Sequence, residues 1–325
     1  MDRTVRVAEN INAALHTVLD TDERAYLIGE DLLDPYGGAF KVARGLSTRF
    51  PDRVLSTPIS ESAITGIAAG LALAGDTAIV EYMFADFLTL GLDPLVNFAA
   101  KSVTMYGRRL PMRLVVRCPS GGGRGYGPTH SQTLTKHLIG VPGLAVYEMS
   151  PFRDAAEVFA EMLALARPCV FVEDKILYTR RMHAVAAPFT AEVRDGVAYV
   201  GTGERPDVVL IAPGGLAERA LAALRSLLIE HEVAGLLVVP SRLYPVGLDL
   251  PPVAHVVVAE DSAAGGTWGA EVAHYVHARH FAGLAGPVTL VHAADTVVPA
   301  APHLERAVLV KAETIYDALV RTVRG

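Results

Sequence analysis

One carboxylate stands at the head of a nearly apolar segment. Residues 57–75 read TPISESAITGIAAGLALAG, in which Glu61 precedes a run of Ala, Gly, Ile and Leu. The simplest interpretation is a solvent-exposed glutamate near a helix N-terminus, where the helix dipole favours it. Alternatively, Ile59, Ile64 and Ile67 exclude water around Glu61, which would let it share a proton with a ligand nitrogen. The residues alone leave both interpretations open.

A glycine-rich segment ends on a histidine. Residues 119–132 read PSGGGRGYGPTHSQ, with His130 near the end. The glycine spacing does not match the G-x-G-x-x-G fingerprint of dinucleotide-binding loops, and the chain contains no GK[ST] phosphate loop. We therefore interpret the segment as a mobile loop over an active-site mouth, which delivers His130 to the start of the next helix. Imidazole titrates near neutrality and suits proton transfer, although a lone histidine is more often structural.

Aromatic side chains follow a strand predicted at 77–81. Tyr82, Phe84 and Phe87 come directly after it, where the carboxyl end of a parallel strand commonly forms the rim of a pocket. For Tyr82 and Phe84, packing in the core is the preferred interpretation.

The sequence predicts no metal site. His274, His277 and His280 recur at intervals of three, so that only neighbouring pairs would align on a helix, and no further ligand is evident. They are interpreted as part of a solvated helix face. The two cysteines, Cys118 and Cys169, lack the spacing of a zinc site, and their small number is typical of a reducing intracellular compartment.

The elements that must position these residues alternate between strands and helices. Five short runs rich in Val, Ile and Leu occur in the first half, at 25–29, 77–81, 112–117, 144–147 and 169–173. Near-continuous apolar strands separated by helices are typical of a parallel sheet that is buried on both faces. The first half therefore predicts an α/β domain.

The alternation lapses after Arg181 and restarts at Asp207. The intervening residues hold turn formers and two short strand candidates but no helix, which predicts a linker at 186–206. Beyond it, strands alternate with helices predicted over 215–231, 268–281 and 311–323. We therefore predict domains over 1–185 and 207–325, the second smaller than the first.

Length and charge exclude several classes of protein. The 325 residues, 51% hydrophobic and 20% charged, can fill two sizeable cores. With 29 basic and 35 acidic residues, the net charge of −6 provides no overall basic field for nucleic acid or an anionic membrane. No apolar run approaches the roughly 20 residues of a membrane span, and the start of the chain is unlike a signal or transit peptide. A soluble cytoplasmic protein is expected.

Ordered motifs along the chain resemble the β subunits of the thiamine-diphosphate-dependent 2-oxo acid dehydrogenases, which include the pyruvate, branched-chain 2-oxo acid and acetoin enzymes. In chain order the motifs are GED, FPDRVLSTPISESAITGIAAGLALAG, VEYMFADF, PMRLVVRCPSGG, HSQ, VPGLAVYEMSP, PCVFVEDK, GGTWGAE and AADTVVPAAPHLE. The similarity extends from about residue 4 to residue 323. It implies a parallel-sheet pyrimidine-binding domain followed by a smaller α/β domain like the transketolase C-terminal domain.

The resemblance also assigns roles to individual residues. In that family the glutamate matching Glu61 hydrogen-bonds the aminopyrimidine ring of thiamine diphosphate, and Ile59, Met83 and Phe87 match positions of apolar contact with that ring. The histidine matching His130 lies near the reacting carbon and assists acyl transfer to a dihydrolipoyl thiol. Glu61 and His130 are thus the predicted catalytic residues.

The diphosphate half of the cofactor site is missing from this sequence. Its only Gly-Asp dipeptide is Gly75–Asp76, followed by Thr77, so the GDG motif that holds the diphosphate and its divalent metal is absent. The resemblance therefore implies a separate α subunit that carries this motif and most of the Mg²⁺ coordination. It further implies an α2β2 heterotetramer that decarboxylates a 2-oxo acid and passes the acyl unit to a lipoyl-bearing acyltransferase.

The chain departs from the family pattern just beyond His130. Relatives often carry an acidic residue and a second histidine where this chain has Thr135 and Gly140, and Lys136 and His137 are unusual at their positions. Because these positions lie close to the mouth from which a carrier would approach, the departures leave the substrate and the acyl acceptor open.

Two alternatives therefore remain beside the 2-oxo acid dehydrogenase. The first is a transketolase-like transfer of a two-carbon unit, from a ketose or a 2-oxo acid, to an acyl carrier protein in a biosynthetic pathway. In that reaction Lys136 would meet the phosphopantetheine phosphate of the carrier. The second is a cofactor-free scaffolding subunit, and the retention of Glu61, Phe87 and His130 argues against it.

Overall fold

The computed structural model describes residues 5–324, which divide into two α/β units. The first unit contains the described residues up to Ser120 together with Gly140–Met149 and Asp154–Met182. The second contains Gly121–Ile139, Ser150–Arg153 and the described chain from His183 onward. This division differs from the predicted continuous domains of 1–185 and 207–325, because residues within 121–139 hydrogen-bond Glu305 and Ala263 of the second unit.

Parallel strands form the sheet of the first unit. Its elements, in chain order, are α1 (Val7–Thr21), β1 (Ala25–Gly29), α2 (Leu46–Arg49), β2 (Val54–Ser56), α3 (Glu61–Leu73), β3 (Thr77–Glu81), α4 (Leu88–Asp93), α5 (Ala100–Ser102), β4 (Leu114–Ser120), β5 (Ala145–Glu148), α6 (Ala155–Ala164) and β6 (Cys169–Asp174). The strands lie in the order β5-β6-β4-β3-β1-β2. Each neighbouring pair is parallel, as predicted for this half of the chain.

Helices cover this sheet because most residues of its central strands are apolar. Every residue of β3 and β4 is buried. On α1 the buried residues Ile11, Leu15 and Leu19 recur at helical spacing and pack into the core. The carboxyl ends of β1 and β3 then lead directly into residues 30 and 82, where polar and aromatic side chains begin.

A mixed sheet forms the second unit. Its elements are β7 (Thr190–Arg194), β8 (Val197–Gly201), β9 (Val208–Ile211), α7 (Ala217–His231), β10 (Gly235–Pro240), β11 (Arg242–Tyr244), β12 (His255–Ala263), α8 (Trp268–His280), β13 (Thr289–Ala293), α9 (Pro302–Val308) and α10 (Ala312–Arg324). Six of the strands follow the order β13-β12-β9-β10-β8-β7. The first four are parallel, whereas β8 is antiparallel to both β10 and β7.

About half of the predicted linker at 186–206 belongs to this sheet. Its two strand candidates form the hairpin β7–β8, and β8 pairs with β10. The turn consists of Asp195 and Gly196, whose φ angles of 48° and 78° are both left-handed. An Asp-Gly pair is a preferred two-residue hairpin turn, because this conformation matches the twist of the flanking strands.

None of the described helices is long and apolar enough to cross a membrane.

Candidate functional site

Glu61 is buried at the start of α3 in the first unit. Only 3% of its surface is exposed, so it is not the solvated helix-end carboxylate of the simplest interpretation. Of the three isoleucines expected to exclude water around it, Ile64 is buried, whereas Ile59 and Ile67 are 81% and 60% exposed. The expectation for Ile59 and Ile67 is thus wrong for the chain by itself, because their side chains lie on its outer surface.

A second buried carboxylate, Glu30, accompanies Glu61. Glu30 follows β1 directly, is 6% exposed and accepts a hydrogen bond from the backbone N–H of Ser60. Its Oε1 has no hydrogen-bond partner among residues 5–324. Burial, and then the negative charge of Glu61, raise the pKa of Glu30 above the usual glutamate range. Sequence analysis missed Glu30, although a polar residue at the carboxyl end of a buried parallel strand is a signal for a site.

Tyr82 holds the first turns of α3 in place through hydrogen bonds. It is fully buried, shares a short hydrogen bond with the Thr65 hydroxyl and lies 3.4 Å from the backbone oxygen of Glu61. Burial raises the pKa of Tyr82 far above its usual value, so that the phenol stays protonated. A Cβ on Gly91 would overlap the Tyr82 hydroxyl, which leaves only glycine compatible with this arrangement.

Half-buried apolar side chains follow Tyr82. Met83, Phe84 and Phe87 are all half-buried. The ring of Phe84 packs edge-on against Phe87 with centroids 5.9 Å apart, and against Phe40 at 5.6 Å. The structure therefore leaves part of Met83 and Phe87 accessible in the same unit as Glu61, which is a requirement for contact with a flat ring.

A buried cluster of ion pairs lies on three neighbouring strands of this sheet, β3, β4 and β6. Arg117 on β4 donates from Nε and Nη2 to both carboxylate oxygens of Glu173, at 2.8 and 2.6 Å, and from Nη1 to Glu81. The Tyr178 hydroxyl donates to the same Glu173, at 2.7 Å. Burial raises the pKa of Glu81 to about 7, although Arg117 opposes this. A Cβ on Gly38 would overlap Glu81 Oε1, so the chain passes close to the cluster at this glycine.

His130 belongs to the second unit and is half-buried. Its Nδ1 lies 2.9 Å from the Thr129 hydroxyl, and its backbone N–H donates to the carbonyl of Gly127. The helix expected to follow His130 is a single 3₁₀ turn, Thr135–His137, which ends before Gly140. Gly140 has a left-handed φ of 84°, which is incompatible with continuation of a helix.

Two of the unusual residues beyond His130, Lys136 and His137, line a cavity of about 350 Å³ in the second unit. Lys136 donates to the carbonyl of Ala263 over 3.3 Å, and His137 and Val297 also face the cavity. The buried hydroxyl of Ser131 has no partner among the described residues. Lys136 is therefore engaged within its own unit and is only half-exposed.

The three histidines of α8 form no metal site with other residues of the described chain. No group of three or more His, Cys, Asp or Glu side chains between residues 5 and 324 is arranged to hold a metal ion. His277 contacts the carbonyl of Ala273 through Nδ1, at 2.9 Å, as a half-buried helix residue.

We expect Glu30→Gln to raise the thermal unfolding temperature, by more at pH 8 than at pH 5. A carboxyl whose pKa is raised on folding contributes stability at low pH that is lost as the pH rises. Glutamine has no charge to desolvate, so a gain on the order of 2–4 °C is expected at pH 8. Thermal unfolding at both pH values measures it, with exposed Glu23→Gln as the control. An equal shift at the two pH values would contradict the assignment.

Two protein-family models match the chain. The transketolase pyrimidine-binding domain matches residues 3–181, and the transketolase C-terminal domain matches residues 199–315. The chain is 31% identical over 330 residues to the pyruvate dehydrogenase E1 component subunit beta-2, mitochondrial, of Oryza sativa subsp. japonica, covering 98% of this chain and 86% of the relative. It is also 30% identical over 348 residues to the acetoin:2,6-dichlorophenolindophenol oxidoreductase subunit beta of Cupriavidus necator, covering 100% and 99% of the two chains.

Solved structures share the fold at lower identity. A split-gene transketolase, described as an inactive β4 tetramer, superposes with a TM-score of 0.74 and 18% identity, covering 97% of each chain. A transketolase of Pichia stipitis in complex with a sugar phosphate gives a TM-score of 0.70 and 14% identity, over 99% of this chain and 46% of that one. The two-domain α/β architecture predicted from the sequence is therefore confirmed.

Proposed function

Since this chain belongs to the transketolase-like family of 2-oxo acid dehydrogenase E1 β subunits, we propose that it decarboxylates a 2-oxo acid together with an α subunit. In this proposal the cofactor is thiamine diphosphate, and the acyl unit passes to a lipoyl-bearing acyltransferase. The proposed compartment is the cytoplasm.

The observation that carries the proposal is the burial of Glu61. Glu61 is 3% exposed at the start of α3, and among residues 5–324 it forms no ion pair of the kind that Arg117 provides elsewhere in this unit. Glu30, which lies close enough to feel the charge of Glu61, has a buried Oε1 without a partner among the described residues, and so does Thr57 at Oγ1. Buried polar atoms are normally hydrogen-bonded, so this arrangement suits a ligand that carries ring nitrogens and an amino group.

The residues fit the pyrimidine half of thiamine diphosphate. When bound, this cofactor supplies a carbon nucleophile for the keto carbon and an electron sink for decarboxylation. Glu61 would hydrogen-bond a ring nitrogen and hold a proton there, while Met83 and Phe87 would pack against the ring. Tyr82 would keep the first turn of α3 in place. His130, held at Nδ1 by Thr129, would move a proton at the acyl acceptor.

The α partner is proposed from what this chain exposes and lacks. Gly75–Asp76 is followed by Thr77, so the given sequence contains no match to the diphosphate and Mg²⁺ motif, and in this proposal a separate α chain supplies it. The outer face of α3 exposes Ile67, and a Cβ at Gly66 or Gly70 would meet nothing within 4 Å. Small residues permit close helix approach, and this face supports packing by a second chain in an α2β2 heterotetramer.

We retain the lipoyl group as the proposed acceptor in preference to an acyl carrier protein. The alternative was motivated by the altered residues 133–140, in which Lys136 would meet a phosphate. In the structure the Lys136 ammonium is directed to the Ala263 carbonyl within the second unit. A substrate panel that offers both a lipoyl domain and an acyl carrier protein separates the two reactions.

Native mass spectrometry on the tagged chain, purified from its own cells, tests the proposed function. We expect a heterotetramer of two copies of this chain and two copies of an α chain, with thiamine diphosphate retained. Denaturation then identifies each component. A homo-oligomer that lacks both a second subunit and the cofactor would support the scaffolding alternative and overturn the proposal.

A further inference from the structure

We propose that Glu305 is a positioning residue, which fixes the glycine-rich loop 121–129 and thereby holds His130 in place. The proposal concerns the second unit alone. Its catalytic consequence rests on the proposed function, whereas the loop contact itself does not.

The Glu305 carboxylate grips the loop through two backbone amides. Glu305 lies on α9, is 3% exposed and is far from the loop in sequence. Its Oε1 accepts a hydrogen bond from the N–H of Gly123 at 2.8 Å, and its Oε2 accepts one from the N–H of Gly125 at 3.0 Å. Each oxygen of one carboxylate therefore holds a different residue of the loop.

The glycines of the loop make this grip possible. Gly123 and Gly125 have φ angles of 90° and 72°, in the left-handed region that residues with a Cβ rarely adopt. Backbone N–H groups that converge in such a conformation form a concave anion site, and here the Glu305 carboxylate occupies it. The density of glycine in the sequence thus reflects a required backbone conformation, where sequence analysis expected only mobility.

The loop also lies directly against α9 and the residues beside it. A Cβ on Gly122 would come within 2.8 Å of the Leu309 side chain and 3.3 Å of Glu305 Oε1. A Cβ on Gly125 would lie 3.1 Å from the carbonyl of Ala300. The clamp therefore combines two charge-assisted hydrogen bonds with close van der Waals contact.

The clamped residues lead directly to His130. The backbone N–H of His130 donates to the Gly127 carbonyl at 3.2 Å, and the N–H of Gly121 donates to the Gln132 carbonyl at 3.3 Å. These bonds close the loop on both sides of the histidine. If Gly123 and Gly125 lost their hydrogen bonds to Glu305, the loop backbone that orients the His130 imidazole would become less ordered.

Substitution of Glu305 by glutamine tests the clamp with little change in volume. Glutamine keeps one acceptor oxygen but turns an NH₂ donor toward a backbone N–H, so one hydrogen bond is replaced by a donor–donor clash. Hydrogen–deuterium exchange on the full chain, in whatever assembly it is purified, should show amides of residues 121–129 exchanging roughly tenfold faster. The matched control is Glu313→Gln, an exposed carboxylate of the same unit.

Kinetics on the complex with the α subunit tests the effect on His130. For Glu305→Gln we expect acyl transfer to a lipoyl domain to fall roughly 10-fold to 100-fold, and to fall more than reduction of the dye 2,6-dichlorophenolindophenol, which bypasses that acceptor. Glu305→Asp retains both acceptor oxygens and should recover part of the loss. Should Glu305→Gln fail to fold, Gly122→Ala displaces the same loop from Leu309 and should produce the same two effects.

The outcomes separate the two proposals. Unchanged exchange of residues 121–129 in Glu305→Gln would overturn the clamp, whatever the enzyme does. Faster exchange with equal losses in lipoyl transfer and dye reduction would overturn the link to His130. A wild-type complex that turns over no 2-oxo acid would overturn the proposed function, while the exchange experiment would still decide the clamp.

Discussion

Glu61→Gln is expected to lower turnover of the reconstituted enzyme by roughly 10²-fold or more. Glu61 is buried at the start of α3, next to a second carboxylate, Glu30, whose pKa is raised by burial and by the charge of Glu61. Glutamine preserves the shape of the side chain but can neither accept nor return a proton at a ring nitrogen. The loss should therefore appear in kcat, and the fold should be retained.

The measurement combines initial rates with cofactor affinity. Calorimetry on the assembled complex measures the affinity for thiamine diphosphate of the wild type and of Glu61→Gln. A change in this affinity reports whether the side chain contacts the cofactor. Glu23→Gln, at an exposed position of the same unit, controls for the loss of one negative charge. Turnover of Glu61→Gln equal to that of wild type would mean that this carboxylate has no proton-sharing role.

Arg117→Met is expected to destabilise the folded chain by about 3–5 kcal/mol. Arg117 makes three hydrogen bonds to Glu81 and Glu173, and the side chains of all three residues are at most 5% exposed. Removal of the guanidinium leaves two carboxylates buried without their cation. Because desolvation is the dominant cost, the loss comes from uncompensated charge more than from the missing bonds.

The pH dependence of this loss distinguishes charge from packing. Glu81 already has its pKa raised to about 7, and removing Arg117 removes the group that opposes the rise. A carboxyl with a raised folded pKa stabilises below its unfolded pKa, and this contribution is lost as the pH rises toward the folded value. Chemical unfolding should therefore show a larger deficit at pH 8 than at pH 5.

Two further variants complete this test. The control is Arg24→Met, which breaks the surface ion pair between Arg24 and Asp76. In the wild type, the Arg24 side chain is 62% exposed. It should shift the unfolding midpoint far less, because water screens that pair. Combining Arg117→Met with Glu81→Leu and Glu173→Leu should recover stability. A deficit that is independent of pH and persists in the triple variant would show that packing, not charge, dominates.

Local patterns predicted most of the secondary structure. The apolar runs at 77–81 and 169–173 correspond to β3 and to most of β6, and the helix predicted over 268–281 corresponds to α8. Such segments are specified by side-chain periodicity, which depends on neighbours close in sequence. The hairpin at 190–201 was missed as part of a sheet, because β8 finds its partner β10 some way along the chain.

The candidate site was only partly accessible to the same reasoning. The position of Glu61 at a helix start followed from residues 57–75, but its burial, the exposure of Ile59 and the proximity of Glu30 did not. Burial depends on which elements cover a residue, and β1 and α3 meet only after the parallel sheet has formed.

The sequence by itself determined the alternation of strands and helices, the family motifs and the absence of a diphosphate-binding motif, since each is carried by residue types at short spacing. Only the tertiary structure decided that Arg117 joins Glu81 to Glu173 and that Glu305 holds Gly123 and Gly125. These contacts join residues far apart in the chain. Their geometry is set by strand register and helix packing, which no local pattern of residues specifies.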